Sequence, residues 1–336
     1  MEINQSLLGI FLALLGGFLN GSFVVFLKYL KRWRWENFWL IFSVIGLCVF
    51  PFAWLFFAVP NFINAIANLE LGDVALPMIF GALWGIGSVL FGLSAKRIGM
   101  AMTFTIVLGL TSAIGTIMPL LLKGQLPDYD TLKFLTLGLL ILLIGVAISG
   151  YAGRLRDKMV EVSEEILHTR SSYGVGILMA VLSGIFSPMI NVGLVYGDKI
   201  FGLAEGLGSS VSTASLFSQG VVVFGGFFVN ASYSMYLLFK NKSWSLFALE
   251  KVSAIGSIAS GILWFSGVGL YAIAVTYLGA VGTSVGYAIL VGSAIFAGSF
   301  WGIVYGEWKV GGRPLIFQIF SSVIVIAGIT FVSLAA

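Results

Sequence analysis

"GALWGIG" at Gly81–Gly87 and "GILWFSG" at Gly261–Gly267 carry glycine, leucine and tryptophan at the same offsets, with Trp84 and Trp264 180 positions apart. Both stretches lie in the middle of an apolar run. The same shift matches Phe91 with Tyr271, Gly99 with Gly279 and Thr103 with Thr283, so the correspondence extends over two consecutive runs. A shift of 167 aligns "GIFLALLGG" from Gly9 with "GILMAVLSG" from Gly176. The two offsets place a difference of about 13 residues between two related halves.

Of the 336 residues, 59% are hydrophobic and 10% charged. A soluble domain carries about 25% charged residues, so too few charges are present here to cover a water-facing surface. Ten apolar runs long enough to cross a bilayer are expected. They are Ser6–Lys28, Asn37–Val59, Val74–Ser94, Ala101–Leu122, Leu132–Gly150, Tyr173–Val195, Ser209–Phe239, Ala254–Tyr277, Val281–Tyr305 and Pro314–Leu334. The first has no basic segment before it and is too long for a cleavable signal, so it reads as a membrane helix.

Alternate connections differ in charge. One set holds Lys28, Lys31, Arg32, Arg34, Lys96, Arg97, Arg154, Arg156, Lys158, Arg170, Lys240, Lys242, Lys251, Lys309 and Arg313, which is 15 of the 18 lysines and arginines. The other set holds Lys123, Lys133 and Lys199. By the positive-inside rule the first set is cytoplasmic and both termini are extracytoplasmic. The mixed-charge segment 151–172 divides residues 1–150 from 173–336, five spans each. Five is odd, so a repeat of this unit must be inverted, a plan common among secondary transporters with a binding site near the midplane.

Several other functions fit poorly. The single histidine, His168, falls in the charged linker, and Cys48 is alone, so no metal cluster is expected. No acid–base pair suited to an enzyme lies within a span, and no phosphate-binding loop is present. No cofactor and no nucleic acid partner are expected. The spans are almost free of charge, which argues against a strongly charged substrate. Their polar content is neutral and aromatic: Asn20, Trp84, Ser88, Ser187, Asn191, Gln219, Trp264, Tyr271 and Tyr287. Amides and hydroxyls hydrogen-bond sugar hydroxyls, and aromatic faces stack on the apolar side of a sugar ring. Trp84, Ser88, Asn191, Gln219, Trp264, Tyr287 and Asn20 are therefore the candidate residues for a neutral sugar. Trp84 and Trp264 would form opposite walls of one cavity. The competing reading for Asn20, Ser187, Asn191 and Gln219 is interhelical hydrogen bonding. Trp39, Trp301 and Trp308, near span ends, read as an interfacial belt.

"KYLKRWRWENFW", "VPNF" at Val59–Phe62, "FGALWGIG" at Phe80–Gly87 and "RIGMAM" at Arg97–Met102 form an ordered series with "SGIFS" at Ser183–Ser187, "GILWF" at Gly261–Phe265 and "EWKVGGRP" at Glu307–Pro314. In order and spacing this series resembles the bacterial L-rhamnose–proton symporter family of the drug/metabolite transporter superfamily. The resemblance spans nearly the whole chain. It implies an all-α membrane protein of ten helices in two inverted five-helix repeats, at the inner membrane, taking up a monosaccharide with the proton as coupling ion. The family pattern has an asparagine-bearing stretch after "WGIG", where this chain has Ser88-Val89-Leu90. It also has an Asp-Tyr pair early in the ninth span, where this chain has Gly286-Tyr287. That leaves Glu307, at a span end, as the candidate coupling residue. A monomer or homodimer in the lipid bilayer is expected. The alternatives are an exporter or an uncoupled facilitator of the same superfamily, or a scaffold that carries no solute.

Overall fold

The computed structural model describes residues 2–124, 127–159, 170–309 and 311–336. Among them there is no β-strand, and ten helical segments are long and apolar enough to cross a membrane. In chain order these are α1 (Asn4–Leu27), α2 (Trp35–Ala58), α3 (Leu71–Ile98), α4 (Met102–Lys123) and α5 (Tyr129–Met159). They continue with α6 (Tyr173–Gly206), α7 (Val211–Lys240), α8 (Lys251–Tyr277), α9 (Gly279–Val304) and α10 (Gly312–Ser333). Each expected run has its helix. The central linker, with His168, falls for residues 160–169 outside the described residues.

The sixth segment departs from expectation. It runs on past Val195, and it is three helices in series: Arg170–Phe186, Met189–Val195 and Asp198–Gly206. Pro188 explains the first break, since its ring removes a backbone donor and crowds the preceding turn. The last piece carries Asp198, Lys199 and Glu205, charges that read as a loop in sequence. Two other spans tighten or loosen locally. α1 winds into a 3₁₀ helix over Phe23–Tyr29, and α2 contains a π turn over Ile45–Val49. The π turn holds Gly46, whose backbone meets Gly261 of α8 so closely that a Cβ at Gly46 would lie 2.7 Å from Gly261 Cα.

The spans pack in a definite pattern. α1 lies against α8 and α9, α6 against α3 and α4, α5 against α10, and α2 and α7 against each other. Large apolar side chains such as Phe11, Ile144, Ile316 and Val323 stay exposed on the outside, as a lipid-facing surface requires.

The connections fall on two faces. Ser6 Oγ donates to Ala336 O (3.4 Å), Lys123 Nζ to Ala280 O (3.4 Å), and Lys199 pairs with Asp73 (2.8 Å). This is the face poor in basic residues. On the other, Arg32 N donates to Glu250 Oε2 (3.0 Å), Arg34 Nη1 to Asn241 O (3.3 Å), and Arg156 pairs with Glu307 (3.4 Å). This second face carries the basic connections and is called the basic face below.

Candidate substrate site

Trp84, Trp264 and Gly226 stand at or next to the midpoints of α3, α8 and α7, so the three share one level halfway between the faces. Trp84 and Trp264 stack on one another, with ring centroids 4.8 Å apart and planes at 28°. Offset stacking of this kind favours aromatic pairs beyond the area they bury. The rings are thus in contact with each other and do not face across a gap. Trp84 also covers Gly226, where a Cβ would strike its ring, and Phe42 meets Trp264 edge-on at 6.1 Å.

One turn toward the basic face, Ser88 and Asn230 extend this layer. Asn230 is fully buried in α7. Its Oδ1 accepts from Trp39 Nε1 (2.9 Å) and Ser88 Oγ (2.7 Å), and its Nδ2 donates to Gly226 O (2.9 Å). The amide therefore ties α2 and α3 to α7. Trp39 belongs to this buried network, contrary to the interfacial reading. Trp301 likewise donates inward, to Ser22 Oγ (2.7 Å), and Trp308 is buried under the Arg156 guanidinium at 5.0 Å.

A second cluster lies toward the opposite face, just past the break in α6. Asn191 is fully buried. Its Nδ2 donates to Gly115 O and Thr283 O, each at 2.9 Å, and its Oδ1 accepts from the Tyr271 hydroxyl. Tyr287 packs edge-on to Tyr271 at 5.9 Å and fills the space beside Gly115. In this conformation Asn191 serves the interhelical role weighed for it in sequence.

Gln219 lies between the two clusters. It shares a helical stripe on α7 with Ser215, which donates to Ala272 O of α8 (2.6 Å), and with Gly226 beneath Trp84. Seven residues at 1.5 Å each put Gln219 about 10 Å along the axis from Gly226. The side chain is 1% exposed, yet neither its Nε2 nor its Oε1 has a hydrogen-bond partner among the described residues. A buried amide without partners costs free energy; eight other buried side chains among the described residues, Thr283 and Ser284 among them, also have an unpartnered polar atom, and Gln219 is the one with two. Asn20 stands nearby on α1, its backbone and Cβ against Gly267, one turn from Trp264. Glu307 is apart from all of these, exposed at the basic face with Arg156.

Sequence reasoning missed Asn230, Tyr271 as a partner of Asn191, and the helix break at Pro188. An isolated asparagine within "FFVNASY" was the available signal for Asn230. Two surface crevices, of about 340 Å³ beside Phe56–Asn64 and about 330 Å³ between α4 and α5, lie away from this layer. The second is lined almost wholly by apolar side chains and suits lipid better than sugar.

The family model of the L-rhamnose-proton symport protein (RhaT) matches residues 2–336. The L-rhamnose-proton symporter of Pectobacterium atrosepticum is 28% identical, over 98% of each chain. Those of Shigella dysenteriae serotype 1 and Escherichia coli O1:K1 are each 28% identical, over 92% of each chain.

Proposed function

The chain belongs to the L-rhamnose-proton symport protein family, and from that premise we propose that it takes up a neutral monosaccharide of the rhamnose type by alternating access, driven by proton symport. The family is one of transporters, not of enzymes. The observation that carries the sugar site is Gln219: a buried amide about 10 Å along α7 from the Trp84–Trp264 layer, with no partner for its donor or acceptor among the described residues. A sugar hydroxyl offers a donor and an acceptor together, so it can satisfy both. Trp84 and Trp264 supply aromatic faces on separating, and Ser88, Asn191, Tyr287 and Asn20 supply polar groups as the two clusters rearrange. Alternating access requires such a site to be rebuilt between states, so saturated amides in one state are compatible with sugar contacts in another.

The inverted-repeat architecture, with halves 1–150 and 173–336 and linker 151–172, draws support from the contact registers. Gly9 packs on Tyr277 and Leu278; Gly176, 167 positions on, packs on Arg97 and Ile98, which are 180 positions back. Gly17 meets Leu290 and Gly184 meets Leu110 with the same two offsets. Gly81 abuts Val222 and Gly226, while Gly261 abuts Phe42 and Gly46. Trp84 and Trp264 exchange places under this operation, so their stack lies on the pseudo-twofold axis. The change of offset falls between α6 and α7, where helix Asp198–Gly206 stands. In this reading the protein lies in the inner membrane as a monomer or homodimer, with its basic face cytoplasmic and both termini outside.

The test is uptake of labelled L-rhamnose by proteoliposomes, with and without an inward proton gradient, beside fucose, ribose and glucose. Gradient-dependent accumulation of L-rhamnose or a close analogue is expected. Uptake of no sugar above empty vesicles would refute the sugar reading, and uptake indifferent to the gradient would refute symport alone.

A further inference from the structure

The basic face is closed by a contact with a chemistry of its own. Glu36, in the first turn of α2, is 4% exposed, and it is the one carboxylate among the buried side chains of the described residues. It accepts from Asn241 Nδ2 and Ser243 Oγ, each at 2.9 Å, both in the connection after α7. Next to it, Asn37 Nδ2 donates to Ser243 O (2.9 Å) and Asn37 Oδ1 accepts from Arg34 N (3.2 Å). The receiving loop is held in place by the end of α7. Ser243 N donates to Leu238 O (3.1 Å) and Lys242 takes a left-handed conformation at φ 50°, the arrangement of a Schellman cap.

Arg34 at the N-cap of α2 and Tyr233 on α7 are the charged and titratable groups that act on Glu36, and Lys240 and Lys242 flank the loop in sequence. Arg32 is engaged with Glu250 through its backbone. None of these cations forms an ion pair with Glu36 among the described residues. The carboxylate is therefore held by two neutral donors, by the charge of nearby Arg34 and by the positive end of α2. Hydrogen bonds to an ionised carboxylate are roughly twice as strong as those to a neutral acceptor, so a single proton would weaken the two bonds that end on Glu36 and leave Asn37 to Ser243 O and Arg34 to Asn241 O as the remaining ties.

The opposite face shows what a closure without this feature looks like. Shifted by 180 positions, Asn37 corresponds to Phe217 and Lys242 to Phe62, and these rings meet at 6.2 Å. Phe52 and Phe56 complete the patch, and Leu216 stands where Glu36 does. Asn61 at φ 52° and Lys242 are the two non-glycine residues of positive φ among those described, and under this shift they fall one position out of register. One closure is aromatic and cannot titrate; its counterpart is polar and can.

Resting on the proton-symport reading, we propose that Glu36 is the proton-responsive gate residue of the basic face. Ionised, it latches α2 to the α7–α8 connection. On binding one proton taken up from the opposite face, as symport requires, it loses the charge that holds Asn241 and Ser243, and the face is free to open. Opening exposes the carboxyl to water on that side, the same proton leaves, and the latch reforms. Glu36 is a positioning residue and does not touch the sugar.

Glu36→Gln in the full-length reconstituted chain separates the steps. Exchange of L-rhamnose at equal concentrations should stay within about threefold of wild type, while accumulation driven by a pH gradient should fall by about tenfold or more. Gradient-driven accumulation equal to wild type would overturn the proposal. Hydrogen exchange of residues 241–250, corrected for its intrinsic pH dependence, is a second readout that needs no transport. Protection there should fall on acidification in the wild type and be indifferent to pH in Glu36→Gln. In Ser243→Ala the midpoint should move to higher pH, because the ionised form has lost a donor. Wild-type protection that does not change with pH would refute the latch even if the sugar reading holds. Failure of the wild type to carry any sugar, with the pH-dependent protection intact, would refute the sugar reading and leave the latch standing.

Discussion

Asn230 and Gln219 are both buried amides on α7, three turns apart, and their surroundings differ completely. Every polar atom of Asn230 is engaged, by Trp39, Ser88 and the Gly226 carbonyl. Gln219 has no partner at either amide atom among the described residues. An amide of the first kind holds helices together. One of the second kind costs stability in the empty protein and gains it when a ligand supplies the missing bonds. In the proposed reading Asn230 marks a structural half of α7 toward the basic face, and Gln219 marks a half toward the other face where a ligand would bind.

Breaking the structural half should have the largest effect. Asn230→Leu removes two interhelical bonds and leaves the Trp39 N–H unpartnered. With about 0.6 kcal/mol for an average interhelical hydrogen bond and about 1–3 kcal/mol for an orphaned donor, a loss of about 2–4 kcal/mol is expected in equilibrium unfolding in mixed micelles. A loss under about 0.5 kcal/mol would show that the network is ornamental. The junction between the halves is tested next. A double-mutant cycle on Trp84→Ala and Trp264→Ala should return a coupling of about 0.5–1.5 kcal/mol, as for other stacked aromatic pairs. Zero coupling would mean that the rings do not stack in the resting state. The smallest effect belongs to Ser88→Ala, which removes one of two donors to Asn230 Oδ1 while leaving the other. A loss of about 0.6 kcal/mol is expected by the same unfolding measurement.

The ten spans were legible because a helix in a bilayer must be apolar over about 20 residues, and each expected run overlaps its helix. The proposed inversion was suggested by glycines at tight helix contacts, with Gly9 and Gly176 related by a shift of 167 and Gly81 and Gly261 by a shift of 180. The site was legible only as a set of residue types. Trp84 and Trp264 were placed at mid-depth, but whether they meet or face each other depends on a helix contact between halves. Asn230 escaped because its partners Ser88 and Trp39 are 142 and 191 positions away. Glu36 was hidden in "KYLKRWRWENFW", where it reads as one charge in a basic loop, and its partners Asn241 and Ser243 lie in the other half. The helix Asp198–Gly206 was read as a loop because charges lie within it, although its apolar residues Ile200 and Ala204 are fully buried.

Gln219→Leu tests the division of α7, and with it the sugar site, most directly. Replacing an unpartnered buried amide by an apolar side chain of similar size should stabilise the empty protein by about 1–3 kcal/mol. The same change should abolish L-rhamnose uptake and remove any stabilisation by added L-rhamnose. A variant that is more stable and inactive is the result this account predicts. A variant that still accumulates L-rhamnose at the wild-type rate, or that loses stability as Asn230→Leu does, would contradict it.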